Sequence, residues 1–593
     1  MNFAAIRHHA YDNFCYPLNE DELVLNIQTD KKITKVILYY GDPFRCILEN
    51  GNWVWERFKV ELTDVKELQN TLIWTTTVKP EYKRCKYYFE IHQDHEIQLF
   101  FEDGFYTPED FIKNPDTTIP FCFPWMNSSD IANPPEWAKN TVWYQIFPAR
   151  FCHSEKGPEI PDMEAWPTSN TKVKNEQKFG GNLEGIIEKL DYLYDLGING
   201  IYLNPVNHAS SQHKYDTIDY LKIDPDFGDE KTMQRLVKEA HKKGMHIMLD
   251  GVFNHSGWFF WAWQDVLKNK QNSKYASWYM VNDWNFDPNP CDNAAKGKFY
   301  SFAFTDYMPK LNTNNPEVLE YILKVCEYWV REYDIDAIRL DVANELSHNL
   351  CIQMRYRLRN IKPDFFIVGE IWNNSLPWLR GDQFDSVINY PLRSAIYDFQ
   401  FKKEQNVKFL EQQINQCLTM YYKQTEQVMI NQMDSHDTTR LITQTKGNKD
   451  ETLLQFGMIL TLPGSACIYY GTEVLLEGGK DPDCRRCMPW KEIEEGKFDS
   501  ELEFMKTMIH MRREHPALRS LDMSFVYEKD DLDGNNRIVH IRKICKETNE
   551  AISCYFNFSD REYDYHLGSG KLLFSRKASK ETLQPGGFAV ILH

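Results

Sequence analysis

The sequence predicts a multidomain chain: a central (β/α)8 TIM barrel with a small inserted subdomain, flanked by an N-terminal β-sandwich and a C-terminal β domain. Three observations predict it. Short strands with turn residues between them occupy residues 1–125. From about 141 strand and amphipathic helix then alternate eight times, and beyond about 505 strands return without long helices. A length of 593 residues, at about 150 per domain, agrees with three or four domains.

In the first region Leu23, Leu25 and Ile27 alternate, followed by ITKVILYYGDP (33–43), WVWERFKV (53–60), LIWTTTV (72–78) and RCKYYFEI (84–91). Pro134 and Pro135 bar regular structure in NPPEWAKN (133–140), which reads as a linker. The barrel is expected over 126–505. Its strands are VWYQI (142–146), GIYLN (200–204), HIMLD (246–250), DAIRLD (336–341), FFIVGE (365–370), FDSVI (384–388), VMINQM (428–433) and ACIYYG (466–471). LEGIIEKLDYLYDLG (183–197) and EKTMQRLVKEAHKKG (230–244) have the apolar spacing of helices laid on a sheet. The long stretch between the third and fourth strands is rich in Trp, Asn and Asp, and about 254–310 is expected to be the inserted subdomain. RIVHIRK (537–543), AISCYF (551–556) and FAVIL (588–592) place the C-terminal β domain at 506–593.

Composition excludes several functions. Lys and Arg number 68 against 86 Asp and Glu, a net charge of −18, which repels nucleic acid and anionic membranes. No apolar run reaches the roughly 18 residues of a membrane helix. The opening MNFAAIRHHAYDNF lacks the apolar core of a secretory signal, so the 14 Cys are read as reduced thiols of a cytoplasmic protein. Cys484 and Cys487 form the single CxxC, and a structural zinc wants a second pair, so no metal site is expected. Aromatic residues reach 14%, which suits a large core and also suits stacking on sugar faces. Trp53, Trp55 and Trp74 carry the same two readings, sugar platform or core.

Barrel enzymes place their chemistry at the carboxyl ends of the strands. There the third strand ends in Asp250, Asn254 and His255, the fourth in Arg339 and Asp341, the fifth in Glu370, and the seventh runs into His436 and Asp437. Arg339 and Asp341 are two apart on a strand, so both face the barrel mouth. Arg339 is then expected to hold Asp341 ionised, as a covalent nucleophile requires. Glu370, among other carboxylates and partly buried, is expected to stay protonated and to donate to a leaving oxygen. Two carboxyls with divided roles are the apparatus of glycoside hydrolysis. Asp437 adds a third carboxylate for ring hydroxyls, and His255 and His436 add neutral hydrogen bonds. Each residue alone also has a structural reading: a helix cap for Asp341, an architectural strand end for Asp250, a loop contact for His255.

DGVFNH (250–255), DAIRLDVANE (336–345), GEIW (369–372) and MDSHD (433–437) resemble the four sequence regions of the α-amylase family of glycoside hydrolases. MPKLN (308–312) and VANE (342–345) resemble markers of its neopullulanase, cyclomaltodextrinase and maltogenic amylase group. The resemblance implies Asp341 as nucleophile, Glu370 as acid/base and Asp437 as stabiliser of the transition state. It implies Arg339, His255 and His436 as orienting groups, Tyr215 of HKYDT as the ring stacked on the sugar being cleaved, and Asn344 and Glu345 near the aglycone side; Asp250 is taken with them as a substrate-binding candidate. Tyr215 also reads as core and Glu345 as a solvated residue at a helix start.

The implied reaction is retaining hydrolysis of α-1,4 bonds, with α-1,6 cleavage left open, in cyclomaltodextrins, maltooligosaccharides and pullulan. A 4-α-glucanotransferase using the same intermediate is the alternative. A relative that lost catalysis would show a missing carboxylate, and all three are present. The group's members commonly form homodimers. Its calcium loop is altered here: QIFPARFCHSEKGPEI (145–160) has Ala149 after Pro148, His153 and Pro158 where oxygen ligands are expected, and Asn182 in place of Asp. Calcium wants about six to eight oxygens, so little or no calcium is expected there and no cofactor is required.

Overall fold

The computed structural model describes residues 1–49, 51–113, 117–565, 567–579 and 581–593. Its centre is a parallel barrel. The strands are β1 (Val142–Ile146), β2 (Gly200–Leu203), β3 (His246–Gly251), β4 (Ala337–Leu340), β5 (Phe366–Gly369), β6 (Ser386–Val387), β7 (Ile430–Asn431) and β8 (Ser465–Tyr469). They pair in the order β6-β5-β4-β3-β2-β1-β8-β7. A parallel bridge from Ile388 to Ile430 closes the ring between β6 and β7, where Ser386 Oγ also donates to the Val428 carbonyl at 2.8 Å.

Both faces of these strands are buried, so they read as apolar runs rather than as alternating ones. Alternation still decides which way each side chain points. Ile201, Leu203, Ile247, Leu249, Ile338, Leu340 and Ile367 face the helices. Trp143, Tyr202, Met248, Ala337, Phe366 and Val368 fill the interior. Two residues further along each strand, the same parity turns Gln145, Asn204, Asp250, Arg339 and Glu370 inward at the carboxyl rim, and Asp341 follows Arg339 by the same step. Polar side chains therefore cap an apolar plug. Gly369 is required next to Glu370, because a Cβ there would lie 2.6 Å from the Phe384 ring.

The outer helices follow ordinary rules. Glu230–Lys242 begins at Asp229, whose carboxylate accepts from Thr232 N at 2.8 Å. It buries Met233, Leu236, Val237 and Ala240, one stripe at helical spacing, and carries His241 and Lys242 in its last turn, where the dipole favours cations. Truncating Leu236 to Ala would cost about 2–5 kcal/mol.

Between β3 and the helix Pro316–Tyr328 lies the inserted segment. It contains one helix, Trp261–Asn269, short 3-10 turns and isolated bridges that include Tyr279–Leu311, Val281–Phe299 and His255–Lys310. The N-terminal region is two antiparallel sheets. One has the strand order Cys15–Pro17, Leu23–Asp30, Thr71–Val78, Asp64–Glu67; the other is built on Lys35–Gly41 and Cys85–Gln93. Leu23, Leu25, Ile27, Val36, Leu38 and Phe89 form the core between them. Trp74 is part of that core and donates to Thr29 Oγ1 at 2.8 Å. Trp55 packs against Tyr88, whereas Trp53 is 74% exposed. This region docks on the barrel through Tyr16, stacked on Tyr422 at 4.3 Å, and through Gln424, which donates to the Pro17 and Leu18 carbonyls.

At the other end a six-stranded antiparallel sheet, centred on Ile538–Cys545, Glu550–Asn557 and Thr582–Leu592, packs against the barrel helices. The helix Asp499–Glu514 spans the expected boundary at 505/506. All 14 cysteines carry free thiols. Among the described residues no helix is long and apolar enough to cross a membrane.

Candidate active site

A cavity of about 450 Å³ opens at the carboxyl rim of the barrel. Asp341, Glu370, Asp437, Tyr215, His255, His436 and Asn344 line it, all of them expected from the sequence. Asp250 and Arg339 lie buried beneath its floor. Glu345 stands outside the lining, half exposed, and pairs with Lys310 Nζ at 2.8 Å.

One guanidinium organises three carboxylates. Arg339 Nη1 donates to Asp250 at 2.7 and 2.9 Å and to Asp341 Oδ1 at 2.9 Å. Its Nη2 lies 2.8 Å from Glu370 Oε2. Glu370 Oε2 also accepts from Val342 N at 3.1 Å, and Trp372 Nε1 donates to Oε1 at 3.3 Å. Val342 holds a left-handed φ of 46°, costly for a β-branched residue, to bring its N–H onto that carboxylate.

The expectation that Arg339 holds Asp341 readily ionised is corrected. Burial pushes the Asp341 carboxyl well above the usual carboxylate range; Arg339 opposes this, but Glu370, Asp250 and Asp437 add to the rise. Burial likewise raises Asp250, against the pull of Arg339. Three carboxylates thus divide one guanidinium, and their mutual repulsion adds to what burial does at Asp341. The sequence displayed the Arg-x-Asp pair but not how many partners would divide the same guanidinium.

The imidazoles are neutral. Burial holds His255 down to about 4. His436 is kept well below its ordinary value, first by burial and then by Arg485 and Arg339. His255 Nε2 lies 3.1 Å from the Tyr215 carbonyl. His436 Nε2 lies 2.6 Å from the Tyr215 hydroxyl and 3.1 Å from Asp437 Oδ2. Tyr215 in turn donates to Asp250 Oδ2 at 2.9 Å.

Further residues line the cavity that the sequence did not single out: His213, Phe302, Met308, Trp372, Asp481 and Arg485. Trp372 stacks on Tyr390 at 3.7 Å with planes 9° apart, leaving its other face toward solvent. Arg485 reaches Asp481 at 2.7 Å and Asp437 at 3.4 Å. Trp372 follows Glu370 by two just past β5, so parity was available as a signal there; His213 and Arg485 come from irregular segments that no periodicity marks. Nearby Cys484 Sγ donates to the His436 carbonyl at 3.1 Å.

At the altered loop, Asn182 Nδ2 donates to the Ser154 and Gly180 carbonyls at 3.0 and 3.2 Å, and Oδ1 caps the helix Leu183–Glu188. An amide donor thus engages carbonyl oxygens there, which a carboxylate at this position cannot do.

Residues 145–515 match the alpha amylase catalytic domain, and residues 1–127 match the alpha amylase N-terminal ig-like domain. The chain belongs to the α-amylase family. This α-amylase family glycosidase is 41% identical over 564 residues to a cyclomaltodextrinase of Geobacillus thermopakistaniensis, covering 94% of this chain and 92% of that one. It is 38% identical to an intracellular maltogenic amylase of Bacillus subtilis, covering 97% and 94%. A solved cyclomaltodextrinase structure superposes with a TM-score of 0.88 at 35% identity over 100% of both chains. The (β/α)8 barrel with flanking β domains is therefore shared with that structure.

Proposed function

We propose that this glycosidase hydrolyses short and cyclic α-glucans with retention, through a covalent glycosyl-enzyme on Asp341. One observation carries the reading: Arg339 bridges Asp341 and Glu370 on neighbouring strands, with both carboxyls open to one cavity. Retention calls for two carboxyls about 5–5.5 Å apart, one attacking and one donating a proton.

Asp341 attacks the anomeric carbon while Glu370 protonates the departing glycosidic oxygen. This division of labour needs the proton on Glu370 at that moment, with Arg339 compensating the ionised Asp341. Glu370, now a base, deprotonates water, which releases an α-configured product. Asp437, with His436 and His255, takes the ring hydroxyls and favours a flattened, oxocarbenium-like ring. Tyr215 stacks on that ring, and Asp250 and Arg339 orient the carboxyls from below. Asn344, with Glu345 beyond it, faces the aglycone side.

Cyclomaltodextrins, maltooligosaccharides and pullulan are the proposed substrates. The names of the relatives and the MPKLN and VANE segments support this choice. The chain is further proposed to work in the cytoplasm, in keeping with a Bacillus relative whose name calls that protein intracellular, and as a homodimer. In support of the dimer, the N-terminal region exposes Phe44, Leu48, Trp53 and Phe58.

Parallel product profiles from β-cyclodextrin, pullulan and soluble starch, with the anomer read by NMR during turnover, test the proposal. Release of α-anomeric maltodextrins, fastest from the cyclic substrate, is expected. A β-anomeric product, or starch as the preferred substrate, would overturn it. Longer oligosaccharides formed on adding maltose would identify the glucanotransferase instead.

A further inference from the structure

We propose that Gln145 is a positioning residue that fixes His436 in the tautomer with its single proton on Nε2, aiming that donor into the cleft. The proposal rests on the placement of His436 at the reacting sugar. Gln145 is the inward residue of β1 one step above Trp143 and is fully buried. Its Nε2 lies 2.8 Å from His436 Nδ1 and 3.2 Å from Asn204 Oδ1.

Shape alone does not orient an amide, but the chain of partners does. Asp250 is surrounded only by donors: Arg339 Nη1, the Tyr202 hydroxyl and the Tyr215 hydroxyl. Tyr215 thereby commits its hydrogen to Asp250 and offers lone pairs elsewhere. Asn204 Nδ2 donates to one of them at 3.0 Å. Asn204 Oδ1 is then turned to Gln145, which must present its NH2 group. That group only donates, so His436 Nδ1 is a bare acceptor and the ring proton sits on Nε2. There the Tyr215 oxygen and Asp437 Oδ2, at 2.6 and 3.1 Å, accept it. The opposite tautomer would set the Nε2 lone pair against the Asp437 carboxylate.

A second observation points the same way. Gln145 Oε1 is buried with no partner among the described residues. An acceptor left so costs about 1–3 kcal/mol. A methionine of similar volume would avoid that cost, so the position keeps the amide for its donor. The charged and titratable groups facing His436 are Arg485, Arg339, Glu370, His213, Asp437 and Tyr215, and burial among them keeps the ring neutral. Gln145 therefore selects between the two neutral forms, while the cations exclude the charged one.

The test uses full-length enzyme labelled with 15N-histidine. His436 signals are identified by their loss in His436→Gln. Long-range 1H–15N spectra are expected to show a protonated Nε2 and an unprotonated Nδ1 between about pH 5.5 and 8. Gln145→Met should give mixed tautomers and lower kcat by about 10-fold with KM changed less than about 2-fold. Gln145→Glu should draw a second proton onto Nδ1 and depress kcat most at low pH. A protonated Nδ1 in the unaltered enzyme would overturn the proposal, as would unchanged spectra in both variants, or mixed tautomers at full kcat. Because the spectra read the hydrogen-bond chain without turnover, failure of the Asp341 and Glu370 roles would show separately, as active Asp341→Asn or Glu370→Gln enzyme with these spectra intact.

Discussion

The two ends of β4 carry aspartates five residues apart in sequence and opposite in character. Before the strand, Asp336 sits between two imidazoles and an ammonium: His241 Nε2 at 2.8 Å, Lys362 Nζ at 2.7 Å and His246 Nδ1 at 3.7 Å. Burial works to raise its carboxyl, but hydrogen bonds from His241 and His246 and the charge of Lys362 outweigh burial and hold it far below the usual range. It also accepts from Ile247 N at 2.8 Å, so it ties β3 to β4. After the strand, Asp341 is pushed up first by burial and then by the carboxylates that share its guanidinium. One end of the strand is built for stability, and the other gives up stability for chemistry.

Exchanging each carboxylate for its amide breaks the comparison most sharply. Asp341→Asn should lower kcat by about 10⁴-fold or more. A raised folded value means the Asp341 carboxyl stabilises below its unfolded pKa, and that this is lost as pH rises through the folded one. Asp341→Asn should therefore melt above the unaltered protein at neutral pH, with a gap that narrows toward pH 4. Asp336→Asn should do the reverse. Per folded molecule, kcat should stay within about twofold while stability falls by about 3 kcal/mol, as for any buried pair stripped of one partner. A depressed folded value gives stability above the unfolded pKa that is lost as pH falls, so this variant's deficit should shrink in acid. Scanning calorimetry across pH, with kcat on a maltodextrin, measures both. An inactive Asp336→Asn of undiminished stability would contradict the division of labour.

A smaller effect sharpens the contrast at a third buried charge. Lys543 lies between the C-terminal sheet and the barrel with no partner for Nζ among the described residues. Burial pulls it down to about 7, with Arg512 acting the same way and Cys554 opposing. The unfolded chain then holds more protons than the folded one from about pH 7 up to the ordinary lysine range near 10.4, so stability rises with pH across that window. Lys543→Met should gain about 1–2 kcal/mol at pH 7 and flatten the rise. A loss of stability would show that the ammonium has a partner.

Much of this was legible in the sequence. The barrel strands stood out as apolar runs at even spacing, and parity placed Arg339, Asp341 and Glu370 at one mouth. The shortest strands, Ser386–Val387 and Ile430–Asn431, were read as longer because apolar residues continue past the hydrogen-bonded ladder. Charge sharing was not legible, since it depends on how many carboxylates converge on Arg339 across strands that lie far apart in sequence. The role of Gln145 was hidden for the same reason: its partners, Asn204 and His436, come from β2 and from the loop after β7. Local pattern reports direction along a strand; it does not report which neighbours meet around a closed barrel.

The most direct measurement is to trap the glycosyl-enzyme with a slow fluorinated maltosyl fluoride and to map the modified peptide by mass spectrometry. One sugar ester on Asp341, formed as activity disappears and absent in Asp341→Asn, is the expected result. An ester on Glu370 or Asp437, or inactivation that leaves no modified carboxylate, would contradict the assignment of Asp341 as the attacking group.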